Sequence, residues 1–128
     1  MDLTMFLAQI LGIYMLVAGV SGLLYPSRAQ KAMAEVTKSY AIPYFDGAIA
    51  LIFGLLIVLT HNVWVGAAAT IITLIGWIAI VEGVFMLLLP HDMIAKTMER
   101  FSGKNMAAGW SMLAIILGGY LAYVGFLT

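Results

Sequence analysis

Two of the chain's six acidic residues, Asp46 and Glu82, stand inside long apolar stretches, where a carboxyl group can do chemistry that surface acids cannot. Glu82 precedes Pro90 by about 12 Å at the helical rise of 1.5 Å per residue. An ionised carboxylate at that depth costs a few kcal/mol on insertion scales, so it must be protonated, paired or turned to a water-filled space. Two roles follow. Glu82 either relays protons or cations along a polar path, or stays hydrogen-bonded within the bundle and holds helices in register. Asp46 comes three residues after Pro43, in what reads as the first turn of the second apolar run. Free amides and the helix dipole favour an anion there, so it is expected to cap that helix, with an ion pair to Arg28, Lys31 or Lys38 as its other option. Tyr14, with Trp77 and Tyr120, reads as deep enough to donate to Glu82. Glu82, Asp46 and Tyr14 are therefore the intramembrane functional candidates.

Other chemistry finds little support. The chain has no cysteine, which excludes disulfides, thiolate metal ligands and cysteine nucleophiles. His61 and His91 fall in separate connections on opposite faces of the expected topology, so they cannot share a site, and a lone loop histidine is expected to be solvated. No metal site or cofactor is indicated, haem and quinone included. The nine methionines are not spaced as a copper ligand set and read as adaptable packing. With no Ser-His-Asp set, His-acid cluster or paired carboxylate at one depth legible, the chain is expected not to be an enzyme. No basic run points to nucleic acid.

What must position the candidates is set by composition. Hydrophobic residues make up 64% of the chain and charged residues 9%, far from the globular range of about 45–50% and about 25%. The class is integral membrane protein, as one domain of 128 residues with no separate soluble module. Four apolar runs, Leu3 to Tyr25, Ile42 to Thr60, Val63 to Leu89 and Met106 to Phe126, each approach the roughly 20 helical residues that cross a hydrocarbon core. Their continuity, without strand-like alternation, predicts an all-α fold. The first run has no cation ahead of it and reads as a retained span, not a cleaved leader.

All six cations, Arg28, Lys31, Lys38, Lys96, Arg100 and Lys104, lie in the first and third connections. The positive-inside rule then places residues 26–41 and 90–105 in the cytoplasm and both termini outside. Each connection is patterned at helical spacing. Ala29, Ala32, Met33 and Val36 oppose the charges after Pro26, and Met93, Ile94, Met98 and Phe101 oppose Lys96, Glu99 and Arg100 after Pro90, with Asp92 as expected cap. Short amphipathic interfacial helices are predicted, with anionic lipid headgroups as partners of the six cations.

Shifting the chain by half its length places Gly12, Val17, Gly19, Val20, Leu23, Leu24 and Pro26 on Gly76, Val81, Gly83, Val84, Leu87, Leu88 and Pro90. The pattern reads as a duplicated two-span unit, residues 1–62 and 63–128, giving two parallel repeats about an axis along the membrane normal. At the position of Glu82 the first half has Ala18. Small residues mark where membrane helices approach closely, so Gly12 and Gly19, Gly47, Ala50 and Gly54, Gly76 and Gly83, and Ser111, Ala114 and Gly118 are expected to line the packing faces of a tight four-helix bundle.

Val81-Glu82-Gly83, the run to Leu89-Pro90, the basic segment with Lys96 and Arg100 and the span around Gly118-Gly119 resemble the YjeT-like family of small bacterial inner-membrane proteins of unknown function. The resemblance covers residues 75 to 126 and, more loosely, 11 to 60. It implies a bacterial inner-membrane location, matches Glu82 to the family's glutamate, and implies no reaction. The expected function is that of a non-enzymatic accessory or scaffolding subunit packing with other membrane proteins or with itself. The alternative is a small oligomeric transporter or channel using Glu82.

Overall fold

Hydrocarbon offers the backbone no hydrogen-bond partner, so a crossing segment must satisfy its own amides, and a helix does so within one segment. The computed structural model describes residues 3–101 and 104–127 and is helical along nearly all of them. In order, the helices are α1 (Leu3–Leu24), α2 (Pro26–Lys38), α3 (Ala41–Thr60), α4 (Ala67–Leu88), α5 (His91–Phe101) and α6 (Lys104–Leu127). Helices α1, α3, α4 and α6 are long and apolar enough to cross a membrane, as the sequence predicted. The protein is an all-α membrane protein.

The four long helices pack as two antiparallel pairs, α1 with α6 and α3 with α4, and the pairs touch each other far less. Small residues cause this pairing, because in lipid only close backbone approach and shape fit draw one helix to another. A Cβ placed on Gly12 would fall 2.5 Å from the Ala122 amide nitrogen, and one on Gly118 3.0 Å from the Gly12 carbonyl oxygen. In the other pair, a Cβ on Gly54 would fall 2.7 Å from the Gly76 oxygen. The same correspondence holds one step along. Gly19 meets Ser111 and Ile115, while Gly83 meets Gly47 and Leu51. Each contact has its counterpart half a chain length away, so helices of the same half are not the ones that pair.

The two pairs meet in a small core of Ala8, Leu11, Ile57, Ile72 and Leu121, drawn from all four long helices. At the opposite end α2 and α5 pack on each other, bringing the charged connections together. Arg28, Lys31, Lys38, Lys96 and Arg100 are exposed there and Ile94 is buried, as the amphipathic pattern requires. The side chains of Lys104 and Phe101 lie outside the described residues.

Three local expectations change. The third apolar run starts as a helix at Ala67 and not at Val63, since Gly66 takes φ +96°, a left-handed conformation natural to glycine, and Thr73 Oγ1 engages the Val63 backbone instead. Asp92 is not a cap. The Pro90 carbonyl accepts from the Met93 and Ile94 amides at 3.0 and 3.2 Å, so Pro90 takes the capping place just before α5 and Asp92 sits in the first turn, complementing the dipole. Nor does Asp46 cap α3. That helix starts at Ala41, beyond which Ser39 Oγ accepts the Ile42 amide at 3.2 Å, and Asp46 lies past the first turn.

Valine at Gly118 or at Gly54 should force each pair apart, at a cost of about 1–3 kcal/mol for overpacking. Denaturation in detergent followed by circular dichroism will show a lowered midpoint for Gly118→Val and for Gly54→Val, and little change for Gly109→Val, where an added Cβ meets nothing within 4 Å.

Candidate functional site

Close approach of Gly83 to Gly47 brings their chain neighbours to the same side of the α3–α4 pair. Those neighbours are Glu82 and Asp46. Their carboxyl groups are neighbours, and both residues are exposed on the outer surface of the spans. Their depths agree. Asp46 is about 8 Å along α3 from Ala41 and Glu82 about 9 Å from the end of α4 at Leu88, by helical rise. An ionised carboxylate can only accept, so a hydrogen bond between two carboxyl groups needs one proton kept on the pair. The arrangement can hold and pass a proton, or present oxygens to a donor arriving from outside.

The sequence singled out both acids but not their meeting. The pairing of α3 with α4 through glycines at matching depth carries that information, and the signal lay in Gly47 and Gly83 standing directly beside Asp46 and Glu82. Tyr14 is not part of the site. It is 68% exposed on α1, and among the described residues its hydroxyl makes no bond to Glu82. Trp77 and Tyr120 also lie at the surface. Arg28, Lys31 and Lys38 stay on α2, and Asp46 takes Glu82 as its partner instead.

His61 departs most from expectation. Far from being solvated, it is 2% exposed at the end of the molecule opposite α2 and α5. Its Nε2 lies 2.8 Å from Thr4 Oγ1 and its Nδ1 3.2 Å from Thr73 Oγ1. Proton counting orders the cluster. Thr73 donates its one hydroxyl proton to a carbonyl, Val63 O at 2.8 Å or His61 O at 3.1 Å, and accepts from the Val63 amide at 3.2 Å. Its remaining lone pair accepts from His61 Nδ1–H, so Nε2 accepts from Thr4. This cluster links α1 to the α3–α4 turn and is structural. At the other end His91 Nε2 donates to Ser39 O at 3.0 Å, and its ring lies 4.3 Å from that of Tyr40. The histidines are thus at opposite ends, each with a partner.

The expected glycine positions face the partner helix of each pair, and Ser111 meets Gly19 and Gly22. Gly12, Gly19, Gly47, Gly54, Gly76, Gly83 and Gly118 are buried, and Ala50, Ser111 and Ala114 are partly covered. Among the described residues no group of three or more His, Cys, Asp or Glu could hold a metal ion. No protein-family model, curated protein or solved structure matches the chain.

Thr73→Val keeps the shape of the side chain but strands the Val63 amide and His61 Nδ1. The expected loss is about 1–3 kcal/mol for a buried polar group left without a partner. Unfolding in detergent should register it, while Thr97→Val on exposed α5 should leave the midpoint in place.

Proposed function

We propose that this protein is a non-enzymatic accessory subunit of the membrane, and that it engages another membrane protein through the α3–α4 face. One observation carries this reading, the Asp46–Glu82 carboxyl pair on the outer surface of two spans. Lipid tails cannot satisfy those oxygens, and intramembrane acids turn to a protein interior or to water. The pair therefore calls for a neighbour. A second copy packed through its own α3–α4 face would bring two more acids and no cation, because no Lys or Arg lies between Ala41 and Leu88. A span of a different protein bearing Lys, Arg or an amide donor complements the pair better. The resemblance to YjeT-like proteins supports a small inner-membrane component and adds no reaction. The recurrence of contacts half a chain apart supports an origin by tandem duplication of a two-span unit, whose halves differ at Ala18 and Glu82.

A second reading rests on the same pair. Two carboxyl groups sharing a proton are suited to proton relay, so an oligomer enclosing them could form a proton or cation path. Proton flux into liposomes separates the two. Flux that disappears in Asp46→Asn/Glu82→Gln favours the path, and absence of flux with the wild-type protein favours the accessory role.

Benzoylphenylalanine at Ile49 or Ile78, one turn deeper on the two acidic faces, should crosslink in native membranes to one protein of discrete mass. The adduct should be lost in Asp46→Asn/Glu82→Gln, and the same probe at Val17 should give none. An adduct at twice 13.8 kDa would mean that the protein packs with itself. Equal, diffuse labelling from all three positions would overturn the interface.

The contact of α2 with α5 and the gathering of cations on them support an orientation with both helices at the cytoplasmic surface. Lys31→Cys and Lys96→Cys should both resist an impermeant thiol reagent applied to intact cells and react after the membrane is opened. Labelling of either from outside would reverse that orientation.

A further inference from the structure

Two open clefts adjoin where α2 leaves α1. The outer one, about 700 Å³, is lined by Tyr25, Ser27, Arg28, Lys31 and Glu35 among others. The inner one, about 360 Å³, lies between α1, α2 and α6, with Ala18, Gly22, Met33, Ala107 and Trp110 on its walls. Arg28 and Ala32 belong to both. A compartment bearing Arg28, Lys31 and Glu35 thus opens into a more apolar one at the level where the first span ends. Both volumes fall in the range of small-molecule sites.

Arg28 rests on Tyr25. Its guanidinium carbon lies 4.4 Å from the centroid of the Tyr25 ring, a cation–π contact that uses none of its N–H donors on a carboxylate. Lys31 is one turn further along α2. Two cations against the Glu35 carboxylate leave the outer cleft one positive charge in excess, and Glu35 can accept hydrogen bonds from hydroxyl groups.

We propose that this two-part groove seats one phospholipid with an anionic, hydroxyl-bearing headgroup. The phosphate rests on Arg28 and Lys31, the headgroup hydroxyls donate to Glu35, and the upper part of an acyl chain lies along Ala18, Gly22 and Trp110. This goes beyond the accessory role, which concerns the other helix pair. The corresponding place on the other half argues for a single site. Half a chain away from Ala18, Arg28 and Trp110 stand Glu82, Asp92 and Asp46, three acids where the groove has a methyl, a cation and an indole. A phosphate is repelled there. Occupancy of one lipid per chain follows.

Native mass spectrometry of the protein released from nanodiscs containing phosphatidylcholine, phosphatidylethanolamine and phosphatidylglycerol tests the groove. One phosphatidylglycerol per chain should be retained in preference to the other two lipids. Arg28→Gln/Lys31→Gln should reduce that preference about thirtyfold, as roughly 1 kcal/mol for each of two cations near an anionic surface implies. Lys96→Gln/Arg100→Gln, removing the same charge from α5, should leave it unchanged. Ala18→Phe, filling the apolar compartment, should lower retention without altering charge, and it keeps the test open if the double variant fails to fold. Millimolar inorganic phosphate should not displace the lipid. Two retained lipids per chain, equal loss in both double variants, preference for phosphatidylethanolamine, or displacement by free phosphate would each overturn the proposal.

Discussion

Backbone contact between glycines is the interaction on which this structure depends. In water, burying leucine against leucine would hold four helices together, but lipid is as apolar as leucine and the transfer from one to the other gains little. What remains is dispersion between closely fitted surfaces, and that requires the side chains to be absent where the axes approach. Gly12, Gly54, Gly76 and Gly118 meet this condition so tightly that an added Cβ would come within 3.0 Å of the facing helix. Leucines and isoleucines can then face outward in large numbers without penalty, since lipid is their solvent.

Polar groups divide between two ends of the molecule and obey the same constraint differently. His61, Thr4 and Thr73 form a buried cluster in which every donor finds an acceptor, and no buried side-chain nitrogen or oxygen among the described residues lacks a partner. Such a cluster fixes the turn between α3 and α4 against α1 where the two helix pairs meet. Asp46 and Glu82 are the opposite case. They lie side by side on the exposed face of α3 and α4, away from the buried cluster.

The two halves share their packing and differ in their chemistry. Contacts of Gly19 with Ser111 and of Gly83 with Gly47 are counterparts, yet the side chains next to them are Ala18 and Trp110 on one side and Glu82 and Asp46 on the other. Helix pairing constrains the small residues and leaves their neighbours free to change. One side is cationic, aromatic and open, and the other acidic.

Most of the fold was legible along the chain. Run length and hydropathy determine four spans, because crossing a hydrocarbon core demands a minimum stretch without charge. Charge spacing determines the amphipathic helices after Pro26 and Pro90, and the glycine spacing shows which faces pack. None of these says which helix packs against which, because a small-residue stripe fits any other stripe of similar spacing. Only the tertiary structure decided that α3 pairs with α4 and α1 with α6. That choice placed Asp46 beside Glu82, left Tyr14 exposed on α1, and buried a loop histidine against Thr73. Each of these depends on contacts between residues distant in sequence, which local periodicity does not encode.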